Sequence, residues 1–197
     1  MSLRIILSVA AGVGVGYFLL PGDILQYTDY IIDIGLCLLL FFVGIDIGKN
    51  KDVLQKIKRM GIKILLIPAA IIVGSIAGSI IAGLLLGLPI NEAGAVGAGL
   101  GWYSLSSMML STYSAKLSAL AFISNVTREI IALLIIPLIA KYLGDFESIA
   151  PAGATSMDTS LPLISSSTNP ETAIVSFING VILSAAVPIL VSIVIKL

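Results

Sequence analysis

Residues 62–87 read IKILLIPAAIIVGSIAGSIIAGLLLG, a run in which Lys63 is the sole ionisable side chain. A helix rises 1.5 Å per residue, so about 20 such residues cross the hydrocarbon core of a bilayer. The run therefore sets the solvent in which the chain folds, and the rest of the sequence agrees. The 197 residues are 58% hydrophobic and 11% charged, with a mean hydropathy of +1.12. Soluble domains carry roughly 25% charged residues, too many more for this chain to cover itself in water. Eleven basic residues balance eleven acidic ones. That leaves no clustered basic surface for nucleic acid. Histidine is absent, which removes imidazole as proton shuttle or metal ligand. The single cysteine, Cys37, lies in the apolar run Leu36–Val43 and reads as a small buried hydrophobe.

Working outward from residues 62–87 gives about seven transmembrane segments and an all-α integral membrane protein. They are Leu3–Leu20, Tyr30–Gly48, Ile62–Gly87, Ile90–Tyr113, Leu117–Leu143, Ile149–Thr168 and Ala173–Ile195. The first resembles a secretory signal, but its length and the spans that follow favour an uncleaved helix. Two segments, around 94–107 and 150–165, are expected to be broken or re-entrant. The former holds Gly94, Gly97, Gly99 and Gly101 before Trp102-Tyr103-Ser104-Leu105-Ser106-Ser107. The latter is dense in Ser and Thr and punctuated by Pro151, Gly153 and Pro162. The last segment contains Pro188, where a kink is expected. The longest hydrophilic connection is residues 49–61, so residues 1–197 read as one transmembrane transporter domain.

Basic residues are retained on the cytoplasmic side. A cytoplasmic N-terminus puts Arg4, Lys49, Lys51, Lys56, Lys58, Arg59, Lys63 and Lys116 inside and leaves Lys141 and Lys196 outside. The expected location is the cell membrane, with multiple passes. If residues 149–168 form a re-entrant hairpin, the C-terminus moves inside.

Ionisable groups at membrane depth cost about 2.5–3.5 kcal/mol on insertion scales and are paired or line wet cavities. Asp46, Arg128, Glu129 and Asp158 qualify. Arg128 and Glu129 are adjacent, about 100° apart on a helix, so each must find a partner elsewhere. With Ser118 and Asn125 they make a polar stripe, read either as the wall of a transport cavity or as an interhelical lock. Asp158, among Thr155, Ser156 and Thr159, is the first choice for a functional carboxylate. Its alternative role is to cap a helix start. The Gly94–Gly101 break is either a packing face or a bend presenting Trp102, Tyr103, Ser104 and Ser106 to a site. Asp46 pairs with Lys49 or meets cargo; Asp33 is expected to be solvated. Gly12-Val13-Gly14-Val15-Gly16 reads as helix packing, because no soluble strand-helix unit accompanies it, and the Gly74/Gly78 GxxxG pair as helix packing or dimerisation. No metal cluster or nucleophile–base pair is visible, and no cofactor or enzymatic activity is expected.

Leu40–Gly44 with Asp46 and Lys49-Asn50, Gly101-Trp102-Tyr103-Ser104-Leu105-Ser106, Asn125 with Arg128-Glu129, and Gly153–Asp158 with Leu161-Pro162 together resemble the LysO-type lysine exporter family. That resemblance implies export of L-lysine and its toxic analogues from the cytoplasm. It also implies kinship with cation–proton antiporter and bile-acid symporter folds, which use broken helices at the substrate site. Longer members of the family carry extra N-terminal spans. The expectation for this chain is the C-terminal portion of such a protein, completed by a homodimer or by a short, separately encoded membrane partner.

The residues suit that cargo. Lysine carries two ammonium groups, for which Asp158 and Glu129 are candidates. Its carboxylate has two candidate partners, Arg128 or the amides at the start of a broken half-helix. Moving a net monocation outward against an inside-negative potential costs about 2.3 kcal/mol per 100 mV. Exchange for one proton cancels that movement, and without histidine a carboxylate is the natural carrier. Two alternatives have distinct signatures: an uptake symporter for a small organic anion, and a non-transporting membrane subunit of a two-component transporter.

Overall fold

A computed structural model describes residues 61–197, apart from the Lys63 side chain, and isolated helical positions between residues 7 and 45. Apart from those positions, the first two expected spans lie outside the described residues. So do residues 49–60, Asp33, Cys37 and Asp46.

Every regular element among the described residues is helical. A 3-10 turn, Gly61–Leu65, leads into α1, Leu66–Leu85. Pro68 falls in the first turn of α1, where its missing N–H leaves no bond unmade. Gly87, at φ +73°, turns the chain, and the Leu88 amide reaches back to the Gly83 carbonyl at 2.9 Å. Such a left-handed residue is how many helices satisfy their last carbonyls.

Next come α2, Ile90–Gly97, and α3, Tyr103–Ser111, joined by turns over residues 98–102. α4, Ala115–Tyr142, is capped by Ser114, whose hydroxyl accepts from the Leu117 amide at 3.0 Å. Two 3-10 turns, Glu147–Ile149 and Gly153–Met157, precede the short α5, Leu161–Ser167. The chain closes with α6, Pro170–Val194. Asn169 caps it by accepting from the Thr172 amide at 3.0 Å. This helix starts three residues before the apolar run, because Asn followed by Pro is a start signal independent of hydropathy. Both α4 and α6 run through an internal proline, Pro137 and Pro188.

Three of these helices, α1, α4 and α6, are long and apolar enough to cross a membrane. They coincide with three of the expected spans. Residues 90–113 and 149–168 instead hold short helices, none of which has that length.

α6 buries Val175, Leu183, Val187 and Val191 at helical spacing. Against it pack α2, α3, α5 and the Gly153–Met157 turn. Small residues set the closest approaches. Ser79 of α1 donates to the Ala93 carbonyl of α2, and a Cβ on Gly97 would overlap the Ser79 Cβ and sit 2.8 Å from the Ser75 carbonyl oxygen. Large apolar side chains such as Leu66, Val73, Ile81 and Leu85 point outward, the arrangement that suits a hydrocarbon solvent.

Gly97→Ala therefore forces α1 and α2 apart, whereas Gly78 has nothing within 4 Å of its Cβ position. Overpacking costs typically about 1–3 kcal/mol. In detergent, the melting temperature of Gly97→Ala should fall by several degrees while Gly78→Ala stays near wild type. Equal melting of the two variants would contradict this packing.

Candidate functional site

Two irregular stretches of backbone, the turns after α2 and the segment around residues 150–160, run against each other. The Ala154 amide donates to the Leu100 carbonyl at 2.9 Å. Glycines make that approach possible. Gly153 has φ +62°, and a Cβ there would collide with the Leu100 carbonyl oxygen and lie 3.0 Å from Nη2 of Arg128. Gly101, at φ +100°, would bring a Cβ to 3.2 Å from the Ala152 carbonyl oxygen. Left-handed backbone disfavours other residues even where space is available.

A single turn of α4 ties both stretches down. Asn125 is 3% exposed, and its Oδ1 accepts from the Gly101 amide at 2.8 Å. Its Nδ2 donates to the Ala121 carbonyl at 2.9 Å, with longer contacts to the Val96 carbonyl at 3.3 Å and Ser106 Oγ at 3.4 Å. Three residues on, Arg128 donates from Nε to the Pro151 carbonyl at 3.0 Å and from Nη2 to the Ala150 carbonyl at 3.1 Å. Its Nη1 donates to Ser75 Oγ on α1. α6 supplies the opposite wall. Asn179 donates to the Gly153 carbonyl at 3.3 Å and to Ser156 Oγ at 3.0 Å. Ser156 and Ser176 exchange hydroxyl-to-carbonyl bonds of 2.9 and 2.7 Å. Backbone that leaves regular structure away from water must be satisfied by protein, and α4 and α6 do this.

The carboxylates meet on another side of α4. Thr159 Oγ1 donates to Glu129 Oε1 at 2.6 Å, and the Thr159 amide donates to Asp158 Oδ1 at 2.6 Å. Thr159 Oγ1 lies 3.4 Å from the same Asp158 oxygen. One threonine thus joins the two acids, both of them half-buried. Asp158 does not cap α5. It follows the 3-10 turn and accepts from its own neighbour's amide, while the residue at the α5 cap position, Ser160, makes no side-chain cap bond.

The stripe expected on α4 does not share one set of partners. Ser118 donates to the Ser107 carbonyl at 2.9 Å, Asn125 enters the α2–α3 connection, Arg128 reaches residues 150–151 and α1, and Glu129 reaches Thr159. Arg128 and Glu129 do look to separate partners, as their 100° offset requires. Thr155 Oγ1 is occupied by the Ala152 carbonyl at 2.9 Å and Ser160 Oγ at 3.0 Å. Ser106 is buried and donates to the Trp102 carbonyl at 2.8 Å. Tyr103 packs edge-on to Phe122, ring centroids 5.5 Å apart. Trp102 and Ser104 are exposed, and among the described residues no hydrogen bond joins them to Glu129 or Asp158. No group of three or more acidic or sulfur ligands gathers among the described residues.

Sequence reasoning overlooked Ser75, Thr159 as a bridge, and the Ser176–Asn179 pair. Ser75 and Asn179 had a signal: each is a polar side chain inside an otherwise apolar run.

These features define a multi-helix membrane protein built around a joint of irregular, protein-satisfied backbone. The chain belongs to the lysine exporter LysO family, whose model matches residues 6–195. The lysine exporter LysO of Escherichia coli (strain K12) is 34% identical over 171 residues, covering 85% of this chain and 56% of that protein. A relative from Haemophilus influenzae (strain ATCC 51907 / DSM 11121 / KW20 / Rd) is 32% identical over 158 residues, 79% of each chain. The chain spans little more than half the length of the first of these. No solved structure gives a significant match.

Removing the Asn125 amide orphans the Gly101 N–H in a buried setting, at a cost of about 1–3 kcal/mol. Asn125→Ala should melt clearly below wild type, and Thr127→Ala, on the exposed face, should not. Matching melting curves would show that the amide does not hold the joint.

Proposed function

We propose that the chain is a secondary carrier that moves L-lysine outward across the cell membrane in exchange for a proton. The observation that carries this reading is the pair Glu129 and Asp158, joined through Thr159, in a chain whose E. coli relative is named a lysine exporter. Two carboxylates in adjoining half-buried positions repel each other when both are ionised. An arriving ammonium group or proton relieves that repulsion, so the two cations compete for one site. Competition of this kind is what couples two flows. One proton inward for one lysine outward moves no net charge, which removes the cost of about 2.3 kcal/mol per 100 mV.

In this reading the segments around residues 94–107 and 150–165 are two broken crossings among seven segments, with a cytoplasmic N-terminus. Their joint lies close to the acidic pair, as unwound backbone does at carrier sites. Trp102, Tyr103 and Ser104 line the approach, Ser106 is buried behind it against Asn125, and Asp46 belongs to the cytoplasmic end of the path. Asn125, Thr155 and Ser156 act on cargo indirectly, by holding the backbone around it. A second copy of the chain or a short membrane partner accompanies it.

Radiolabelled lysine exchange into lysine-loaded liposomes tests this. Wild-type protein should exchange lysine and move protons in the opposite direction. Asp158→Asn and Glu129→Gln should each reduce exchange at least tenfold, and Thr159→Val should reduce it less. Absence of exchange by the wild type, or full proton-coupled exchange by both acid variants, would overturn the proposal.

A further inference from the structure

Beside Arg128 lies an open cleft of about 330 Å³, walled by Ala70, Ile71, Gly74 and Ser75 of α1 and by Ala150. Its volume is at the low end of the range, about 300–1,000 Å³, that small-molecule sites occupy. Among the described residues, Arg128 is the one charged residue lining it. A guanidinium has five N–H donors. Three are used, by the Pro151 and Ala150 carbonyls and Ser75 Oγ. All three acceptors are neutral, so among the described residues no anion answers the positive charge, and one donor remains on each terminal nitrogen. A carboxylate is the ligand whose charge and paired oxygens suit such donors.

The rival place for a carboxylate, the amides entering a half-helix, is in part taken. At the start of α3 the Gly101 amide serves Asn125, the Trp102 amide bonds the Gly99 carbonyl at 2.7 Å, and the Tyr103 amide bonds Gly101 at 3.1 Å. Before α5, the Ser160 and Leu161 amides bond Thr155 and Asp158 carbonyls at 3.0 and 3.1 Å.

We infer that the Arg128 cleft is a carboxylate subsite, separate from the acidic pair, so that cargo is recognised as an amino acid and not simply as an amine. Arg128 and Glu129 adjoin on α4 and turn to different partners, which keeps the two binding charges from quenching each other. This inference rests on the lysine reading above.

Lysine counterflow in liposomes tests it, with unlabelled L-lysine, lysine methyl ester and 1,5-diaminopentane as competitors. Wild-type protein should be inhibited at least tenfold less well by the ester and the diamine than by lysine. Gly74→Leu fills the cleft at a position whose Cβ meets nothing within 4 Å and leaves the Arg128 bonds in place. That variant, with a wild-type melting curve, should raise the KM for lysine about tenfold without changing inhibition by the diamine. Diamine and lysine competing equally on wild type, or an unchanged KM in Gly74→Leu, would overturn the carboxylate subsite and leave lysine transport standing. Absence of lysine exchange by the wild type would overturn both.

Discussion

The hydrogen bond from the Ala154 amide to the Leu100 carbonyl is the constraint on which the rest of the structure depends. Neither residue belongs to an α-helix, and both are buried. In a bilayer such groups have no water to fall back on, and each one left unmade costs several kcal/mol. The two irregular stretches meet the demand by bonding each other. They can approach only because Gly153 has no Cβ to strike the Leu100 carbonyl. From that contact follow the buried amides of Asn125 and Asn179, which answer the polar groups the contact leaves over.

α4 does the work of an organiser. Within two turns it offers Asn125 to one irregular stretch, Arg128 to the other and Glu129 to Thr159. Helical geometry explains how one rod serves three directions: positions 125 and 128 lie near one face, and each single step rotates by about 100°. The same geometry places a cationic and an anionic group side by side in sequence without letting them cancel. A zwitterionic cargo with an extra positive charge needs that separation of opposite charges, and the arrangement of Arg128, Glu129 and Asp158 supplies it in the proposed mechanism.

Much of this was legible in the sequence, for identifiable reasons. Apolar runs of sufficient length disclosed α1, α4 and α6, since hydropathy reports membrane spans directly. The intramembrane charges stood out by their cost, and the Arg128-Glu129 adjacency already required separate partners. Legibility ended where long-range geometry began. Nothing local links Ser75 to Arg128, 53 positions apart, or Thr159 to Glu129, 30 apart. Asp158 stands out by its charge, while nearby Gly153, by lacking a Cβ, permits the backbone contact between Ala154 and Leu100. A glycine's role depends on φ and on what lies opposite, and neither is written in the residue itself. Hydropathy alone starts α6 too late, because the Asn169-Pro170 start signal is not an apolar one.

Hydrogen–deuterium exchange at the Gly101 and Ala154 amides measures the joint itself. Both sit outside α-helices, yet the account predicts slow exchange at each in the wild type, and faster exchange at Gly101 in Asn125→Ala with the long helices still protected. Rapid exchange at both amides in the folded wild type, or protection of Gly101 indifferent to the loss of Asn125, would contradict it.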